Sequence, residues 1–296
     1  MIDYRTRVIH DGLAFGEAPR WHEGRLWFSD FYRHGVFSVS GEGDDERREF
    51  TVPGQPSGLG WTPDGALLAV SMTDQRLVRL GPDPDAASVV ADLSPHCTFW
   101  ANDLVVSHRG DAYVGNFGFD LDQRLAERGP AGLIDPPPPT TTLIVVDPAG
   151  RVAQVVDGLA FPNGAVITPD GSTLIVAETM AARLSAFAIA ADGTLHDRRE
   201  WAALPRVAPD GICLDDEGWV WVANARAAEC LRVREGGEIG ARATTTQTAY
   251  ACALGGEDRR TLYVMSAPSS NRFTIGSTTR ATIESCRVDV PGAGLP

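Results

Sequence analysis

The 296-residue sequence predicts an all-β protein built from six copies of one hairpin unit. In each copy an apolar stretch leads into a tight turn, usually Asp-Gly or Glu-Gly, and a second apolar stretch with alternating polarity follows. The turns are centred at positions 24, 65, 110, 171, 218 and 259, so they lie 41 to 61 residues apart. Four-stranded units of about 40–50 residues are typical of propeller blades. The repeat therefore predicts a six-bladed β-propeller.

One interval and the two chain ends depart from this repeat. The third interval is the longest, and it accommodates an insertion between Gly118 and Thr142 with a helical turn predicted at 121–129 and four consecutive prolines at 136–139. We expect the prolines to form a stiff spacer between blades. Residues 6–10 and 282–290 are each too short for a blade, so we expect them to pair and close the ring without an exposed edge. The prediction is one propeller domain over 1–296.

Charge and composition exclude several classes of partner. The chain carries 26 Lys and Arg against 39 Asp and Glu, a formal charge of −13, whereas nucleic-acid binding requires clustered cations. No apolar run approaches the roughly 20 residues that cross a bilayer, and no secretory signal opens the chain. We expect a cytoplasmic protein with no nucleic-acid or membrane partner, either a monomer or a small homo-oligomer. The cysteines lack metal or disulfide spacing and are expected to be buried thiols: Cys97, Cys213, Cys230, Cys252 and Cys286.

Equivalent positions in the six units indicate a candidate site on the propeller axis, because the innermost strand of each blade borders the central channel. Counting back from each turn, by eight residues or by seven in the shorter first unit, gives Glu17, Ser57, Asn102, Asn163, Asp210 and Ala251. Five of these six side chains carry oxygen, and such a set suits Ca²⁺, Mg²⁺ or Mn²⁺. A cation would also offset the repulsion between buried carboxylates. The same side chains fit strand caps that hold channel water, and spacing alone leaves both interpretations open.

Four motifs resemble the regucalcin/gluconolactonase family of six-bladed propellers. They are Gly-Glu-Ala-Pro-Arg-Trp at 16–21, Asn-Asp at 102–103, Pro-Asn-Gly at 162–164 and Pro-Asp-Gly at 209–211, in order along nearly the whole chain. The resemblance implies one divalent metal held by Glu17, Asn163 and Asp210, which the register also selects. It further implies a lactonase in which the metal polarises the carbonyl and Asp210 acts as general base. The oxygen ligands suit Ca²⁺, Mg²⁺ or Mn²⁺ and tolerate Zn²⁺.

The third motif departs from the family pattern. Sugar-lactone members resemble Arg-x-Asn-Asp there, with the Arg and Asn contacting substrate hydroxyls, whereas this chain has Trp at position 100. An indole in place of a guanidinium removes hydrogen-bond donors and adds apolar surface. We expect a less hydroxylated or partly aromatic lactone or ester, although core packing would explain the nearby phenylalanines equally well. The residues expected to contact this small-molecule substrate are Trp100, Asn102, Asp103, Phe117 and Asp120.

Two other classes of function stay open beside the lactonase. A metal-dependent phosphotriesterase, or another non-lactonase enzyme, would use the same site, and a non-catalytic calcium-binding propeller would have the site without the reaction. The sequence contains no Gly-x-Ser-x-Gly motif, which disfavours a serine hydrolase. His96 lies just upstream of the third motif and is a further candidate for the pocket.

Overall fold

The computed structural model describes residues 1–276 and 278–294, which form six β-sheets arranged as the blades of a propeller. Two strands, β1 (Ile2–Arg5) and β2 (Arg7–Leu13), precede the first blade and join sheets formed later in the chain. Blade 1 contains β3 (Gly16–His22), β4 (Arg25–Asp30), β5 (Gly35–Val39) and β6 (Arg47–Thr51). Blade 2 contains β7 (Pro56–Trp61), β8 (Leu67–Ser71), β9 (Arg76–Leu80) and β10 (Ala87–Asp92).

Blade 3 contains β11 (Ala101–Val106), β12 (Ala112–Asn116), β13 (Thr141–Val146) and β14 (Val152–Leu159). Blade 4 contains β15 (Pro162–Ile167), β16 (Thr173–Glu178), β17 (Arg183–Ile189) and β18 (Leu195–Ala203). Blade 5 contains β19 (Pro209–Leu214), β20 (Val220–Asn224), β21 (Glu229–Val233) and β22 (Ile239–Thr244). Blade 6 contains β23 (Thr248–Gly255), β24 (Thr261–Ala267) and β25 (Ala281–Arg287). The predicted six-bladed propeller is confirmed.

The two ends of the chain close the ring, as the sequence predicts. Strand β2 completes blade 6 by pairing antiparallel with β25, and Arg7 lies opposite Ser285. The sequence did not predict β1, which pairs parallel to β22 as a fifth strand of blade 5. Thr6 separates these two strands, and its hydroxyl donates a hydrogen bond to the buried Glu284 carboxylate at 2.5 Å. The N-terminal segment therefore joins the last two blades.

Three segments of the described residues have helical structure outside the blade strands. The insertion between β12 and β13 contains α1 (Leu121–Arg128), where the sequence predicts a helical turn, and then a 3-10 turn at Pro130–Leu133. The loop between β24 and β25 contains a single helical turn, α2 (Arg272–Ile275). A 3-10 turn, Thr179–Ala181, follows β16. No helix in the described part of the chain is long and apolar enough to span a bilayer.

The innermost strands of the six blades begin around the axis and pack directly against one another. Near its start, each of them changes register against the second strand of its blade, which is the signature of a β-bulge. Backbone lies against backbone here: a Cβ added to Gly164 would lie 2.6 Å from both the Asp210 carbonyl oxygen and the Ile212 nitrogen. Only glycine fits this position without moving β19.

We predict that Gly164→Ala destabilises the protein by about 1–3 kcal/mol, because the added methyl group meets backbone atoms that cannot turn aside. Chemical denaturation followed by tryptophan fluorescence measures this change. Gly81→Ala is the matched control, since a Cβ at Gly81 meets no atom within 4 Å. Equal stability of the two variants would contradict the close packing of β15 against β19.

Candidate active site

A cavity of about 440 Å³ lies at the end of the axis where the innermost strands begin. Four of the side chains selected by the repeat register line it, each from the second position of an innermost strand: Glu17, Asn102, Asn163 and Asp210. Ser57 has the same strand position but does not line the cavity. Blade 6 contributes Tyr250 in place of the predicted Ala251, whose side chain is buried in the apolar core. The structure therefore brings the predicted metal ligands together.

Hydrogen bonds position the polar side chains at the base of this cavity. Asn163 and Asp210 are 8% and 7% exposed. The Asn163 amide donates to the Thr179 hydroxyl at 3.3 Å, and that hydroxyl donates to the Pro209 carbonyl oxygen at 2.8 Å. Glu17 is half-buried, and its Oε2 accepts only the Ala18 amide, at 3.2 Å, among the described residues. One Glu17 oxygen is therefore free for a ligand.

The two carboxylates at the base of the cavity are poorly solvated and repel other carboxylates. Burial, together with the charge of Asp103, raises the pKa of Glu17 to about 8. Burial, together with the charge of Glu17, raises the pKa of Asp210 well above its ordinary value. Two acidic groups held in this way favour a cation between them, and their oxygens with the Asn163 amide oxygen match a hard divalent ion. The donor set therefore fits the predicted metal.

This site has fewer charged ligands than many metal centres. Within residues 1–276 and 278–294, no three His, Cys, Asp or Glu side chains come together in a way that could hold a metal ion. The fit therefore depends on Asn163 as a neutral oxygen donor. Fewer charged ligands weaken the binding of a calcium-type ion, because affinity in such sites rises with the number of carboxylates.

Beneath the cavity, a buried arginine takes up the carboxylate of Asp103. Arg20 is 5% exposed; its Nη2 lies 3.2 Å from Asp103 Oδ1 and also donates to the Leu104 carbonyl oxygen at 2.9 Å. Asp103 does not line the cavity, so its substrate contact stays a prediction. The sequence analysis missed Arg20, although it lies in the first motif, three residues after Glu17. A charged side chain in an innermost strand was the available signal.

Aromatic side chains form the wall of the cavity. The predicted residues Trp100 and Phe117 line it with their ring centroids 6.2 Å apart and their planes nearly perpendicular. Phe161 lies 4.8 Å from Phe117 in the same edge-to-face geometry, and Phe99 stacks on Trp100 at 4.7 Å. The remaining aromatic lining residues are Phe15, Phe31, Tyr32 and Tyr250. These aromatic rings therefore give one part of the cavity an apolar surface.

The predicted contacts of Asp120 and His96 with a ligand receive no support from their placement. Asp120 caps the N-terminus of α1, because its carboxylate accepts a hydrogen bond from the Gln123 backbone N–H at 2.9 Å. Both of its oxygens also accept hydrogen bonds from the Arg272 guanidinium at 2.8 Å. Neither Asp120 nor His96 lines the cavity. Arg272 does line it, and the sequence analysis missed this residue because its loop belongs to no motif. The substrate contact of Asp120 stays a prediction.

The fold and the oxygen-lined axial cavity place this chain among six-bladed propellers with a candidate metal site. This class agrees with the family that the sequence motifs resemble. A family model described as the SMP-30/Gluconolactonase/LRE-like region matches residues 15–268, and the chain belongs to this family. The crystal structure of a calcium-binding protein, regucalcin from Agrobacterium tumefaciens, has the same fold. Its TM-score is 0.76 at 19% identity, over 99% of this chain and 97% of that chain.

Two sequence relatives extend the comparison. The chain is 28% identical to a 6-deoxy-6-sulfogluconolactonase of Pseudomonas putida over 281 residues, which cover 82% of this chain and 95% of that protein. It is 25% identical over 235 residues to the protein strictosidine synthase-like 13 of Arabidopsis thaliana. That match covers 75% of this chain but only 56% of the plant protein.

We predict that metal-free protein loses stability as pH rises from about 5 to about 9. In that range Glu17 stays protonated in the folded state up to about pH 8, whereas in the unfolded chain it ionises near its ordinary pKa of 4.5. Folding therefore binds a proton, and the stability this supplies is lost as pH rises. Glu17→Gln should flatten the dependence, measured by urea unfolding at several pH values with a chelator present. Exposed Glu42→Gln is the control; equal slopes for wild type and Glu17→Gln would contradict the raised pKa.

Proposed function

We propose that this protein is a divalent-metal-dependent lactonase that opens a small cyclic ester of apolar or partly aromatic character. Membership of the gluconolactonase-like family supports a lactonase-type hydrolase. The observation that carries the proposal is that one cavity combines an oxygen-lined base with an aromatic wall. The base suits a hard cation and a reacting carbonyl, while the wall suits the apolar remainder of a substrate.

The residues that would hold the cation are Glu17, Asn163 and Asp210. When bound, a divalent ion supplies Lewis acidity at the ester carbonyl oxygen and a positive charge that favours the ionised form of both carboxylates. The all-oxygen donor set suits Ca²⁺, Mg²⁺ and Mn²⁺ and tolerates Zn²⁺. Asn102, beside this set and 5% exposed, offers an amide to the ester or to its ring substituents.

Asp210 is the proposed general base. A water molecule attacks the carbonyl carbon, and an Asp210 oxygen accepts the proton that this water loses. The bond between the carbonyl carbon and the ring oxygen then breaks, and Asp210 returns the proton to that oxygen, so that a hydroxy acid leaves. Burial beside Glu17 raises the pKa of Asp210 in the metal-free site, and a bound cation would favour the ionised carboxylate that a general base needs.

The cavity wall favours a substrate with few hydroxyl groups. A volume of about 440 Å³ is at the small end of the range for small-molecule sites. Trp100 occupies the position where the resemblance places a guanidinium, and its ring packs with Phe99 and Phe117. A hydroxylated sugar ring would leave its hydroxyl groups unpaired against this surface, which costs binding free energy.

We predict that metal-free protein is inactive and that one of Ca²⁺, Mg²⁺, Mn²⁺ or Zn²⁺ restores acid release from a panel of sugar and apolar lactones, followed with a pH indicator. Asp210→Asn should lower kcat by about 10²–10⁴-fold, because it removes the proposed base. The exposed Asp216→Asn is the matched control. Metal binding without acid release from any lactone would contradict the lactonase proposal and favour a non-lactonase enzyme or a calcium-binding propeller.

We further predict that Trp100→Gln lowers the ratio of kcat/KM for an apolar δ-lactone over gluconolactone by about tenfold. The amide can pair with a hydroxyl, and the apolar contact is lost. Glutamine is preferable to arginine here, because the Arg272 guanidinium already lies 5.2 Å from the Trp100 ring centroid and would repel a second cation. Trp100→Phe keeps the apolar wall and serves as the control. Wild-type turnover of gluconolactone far above that of apolar lactones would contradict the proposed substrate class.

A further inference from the structure

The cavity has a roof made by two segments that lie outside the blade sheets. The insertion between β12 and β13 contributes Leu121 and Leu125 from α1, and Leu133 and Ile134 from the 3-10 turn and its end. The loop between β24 and β25 contributes Arg272 from α2. These segments are distant in the sequence, and both border the same ligand space. A contact between the two segments would therefore fix the position of the roof relative to the cavity.

Arg272 makes this contact with the first turn of α1. Its Nη1 and Nη2 each donate to one Asp120 oxygen at 2.8 Å, the bidentate geometry in which a guanidinium binds a carboxylate best. The backbone amide of Arg272 donates to Asp122 Oδ2 at 3.3 Å, and Nη1 lies 3.7 Å from the same oxygen. Because Asp120 also caps α1, Arg272 binds the residue that fixes the start of the helix.

Two aromatic rings flank the same guanidinium. Its central carbon lies 5.2 Å from the ring centroid of Trp100 and 4.7 Å from that of Phe273. Both distances are within the range of cation–π attraction. The Arg272 side chain is 22% exposed, so solvent screens the ion pair only in part. One side chain thus links the insertion, blade 6 and the aromatic wall.

Helix α1 is too short to be stable by itself, so contacts with the rest of the protein support it. Helix α1 has eight residues, and an isolated helix shorter than about 12–15 residues is marginal in water. The apolar residues that α1 presents to the cavity, Leu121 and Leu125, keep their positions only if the helix is held. Arg272, in the loop between β24 and β25 of blade 6, binds the start of α1 through Asp120.

We propose that Arg272 is a positioning residue that clasps the insertion over the cavity and thereby sets selectivity for lactones with an apolar substituent. The selectivity rests on the proposed function, whereas the clasp itself does not. An ordered roof gives an alkyl or aryl substituent apolar contacts at Leu121 and Leu125. A released roof leaves the reacting ring bound at the base of the cavity but exposes its substituent to water.

The first test compares two substrates with the same ring, δ-decalactone and δ-valerolactone, which differ by a pentyl chain. Arg272→Met should lower the ratio of kcat/KM for the longer over the shorter lactone by about tenfold. The loss should appear in KM for δ-decalactone, because the substituent contacts are made in the ground state as well as the transition state. Arg287→Met, which removes an exposed pair with Asp258 on the same blade, is the matched control. An unchanged ratio in Arg272→Met overturns the role in selectivity.

Asp120→Asn tests the partner side of the clasp. Asparagine is as good a helix N-cap as aspartate but lacks the second carboxylate oxygen and the charge. It should reproduce the effect of Arg272→Met, and the double variant should be no worse than either single variant. Additive effects would overturn the clasp and indicate that each residue contacts the substrate independently.

Amide hydrogen exchange measures the roof without any substrate. In Arg272→Met and Asp120→Asn, amides within 121–134 should exchange at least about tenfold faster than in wild type, while Arg287→Met leaves them unchanged. Unchanged exchange in the first two variants overturns the clasp. Faster exchange in a protein that hydrolyses no lactone would support the clasp, while the lactonase proposal and the selectivity derived from it would fail.

Discussion

The close packing of six innermost strands around one axis is the constraint on which the site depends. There is no space for a side chain where these strands meet. A Cβ at Gly164 in β15 would lie 2.6 Å from the Asp210 carbonyl oxygen in β19, and a Cβ at Gly211 in β19 would lie 2.6 Å from the Ala251 Cα atom in β23. The residue before each glycine, Asn163 or Asp210, is then the last one able to point into the cavity. Backbone packing therefore places the amide and the carboxylate on the axis.

The same packing determines the electrostatics of the cavity. Side chains at equivalent positions must share one small volume, and two of them, Glu17 and Asp210, are acidic. Arg20 lies beneath them, but its guanidinium is bound to Asp103 and to backbone carbonyl oxygens. Its charge therefore compensates Asp103 more than the two cavity carboxylates. The fold concentrates uncompensated acidity at the base of an apolar cavity, which is the electrostatic condition for taking up a cation.

Much of the fold and the base of the site could be predicted, because the distance from the start of an innermost strand to its turn varies by only one residue among the first five units. This rule found Glu17, Asn102, Asn163 and Asp210, whereas the sixth unit has a divergent turn and contributes Tyr250 instead. Sequence reasoning could not place Asp103 and Asp120. Asp103 is oriented by Arg20, which lies 83 residues away in the chain, and Asp120 is oriented by Arg272, which lies 152 residues away. No local sequence pattern reveals such distant partners.

The closure of the ring by β2 and β25 has a consequence for how the protein folds. Strand β2 is synthesised long before its partner β25, so blade 6 cannot be completed until β25 has also been made. Such non-local pairing is slow, because the entropy of closing a very long loop is lost before any stabilising contact forms. Until then β24 is an unpaired edge and β2 has no partner strand. The unfinished propeller is therefore exposed to aggregation through these unpaired strands during biosynthesis, and this exposure ends when the ring closes.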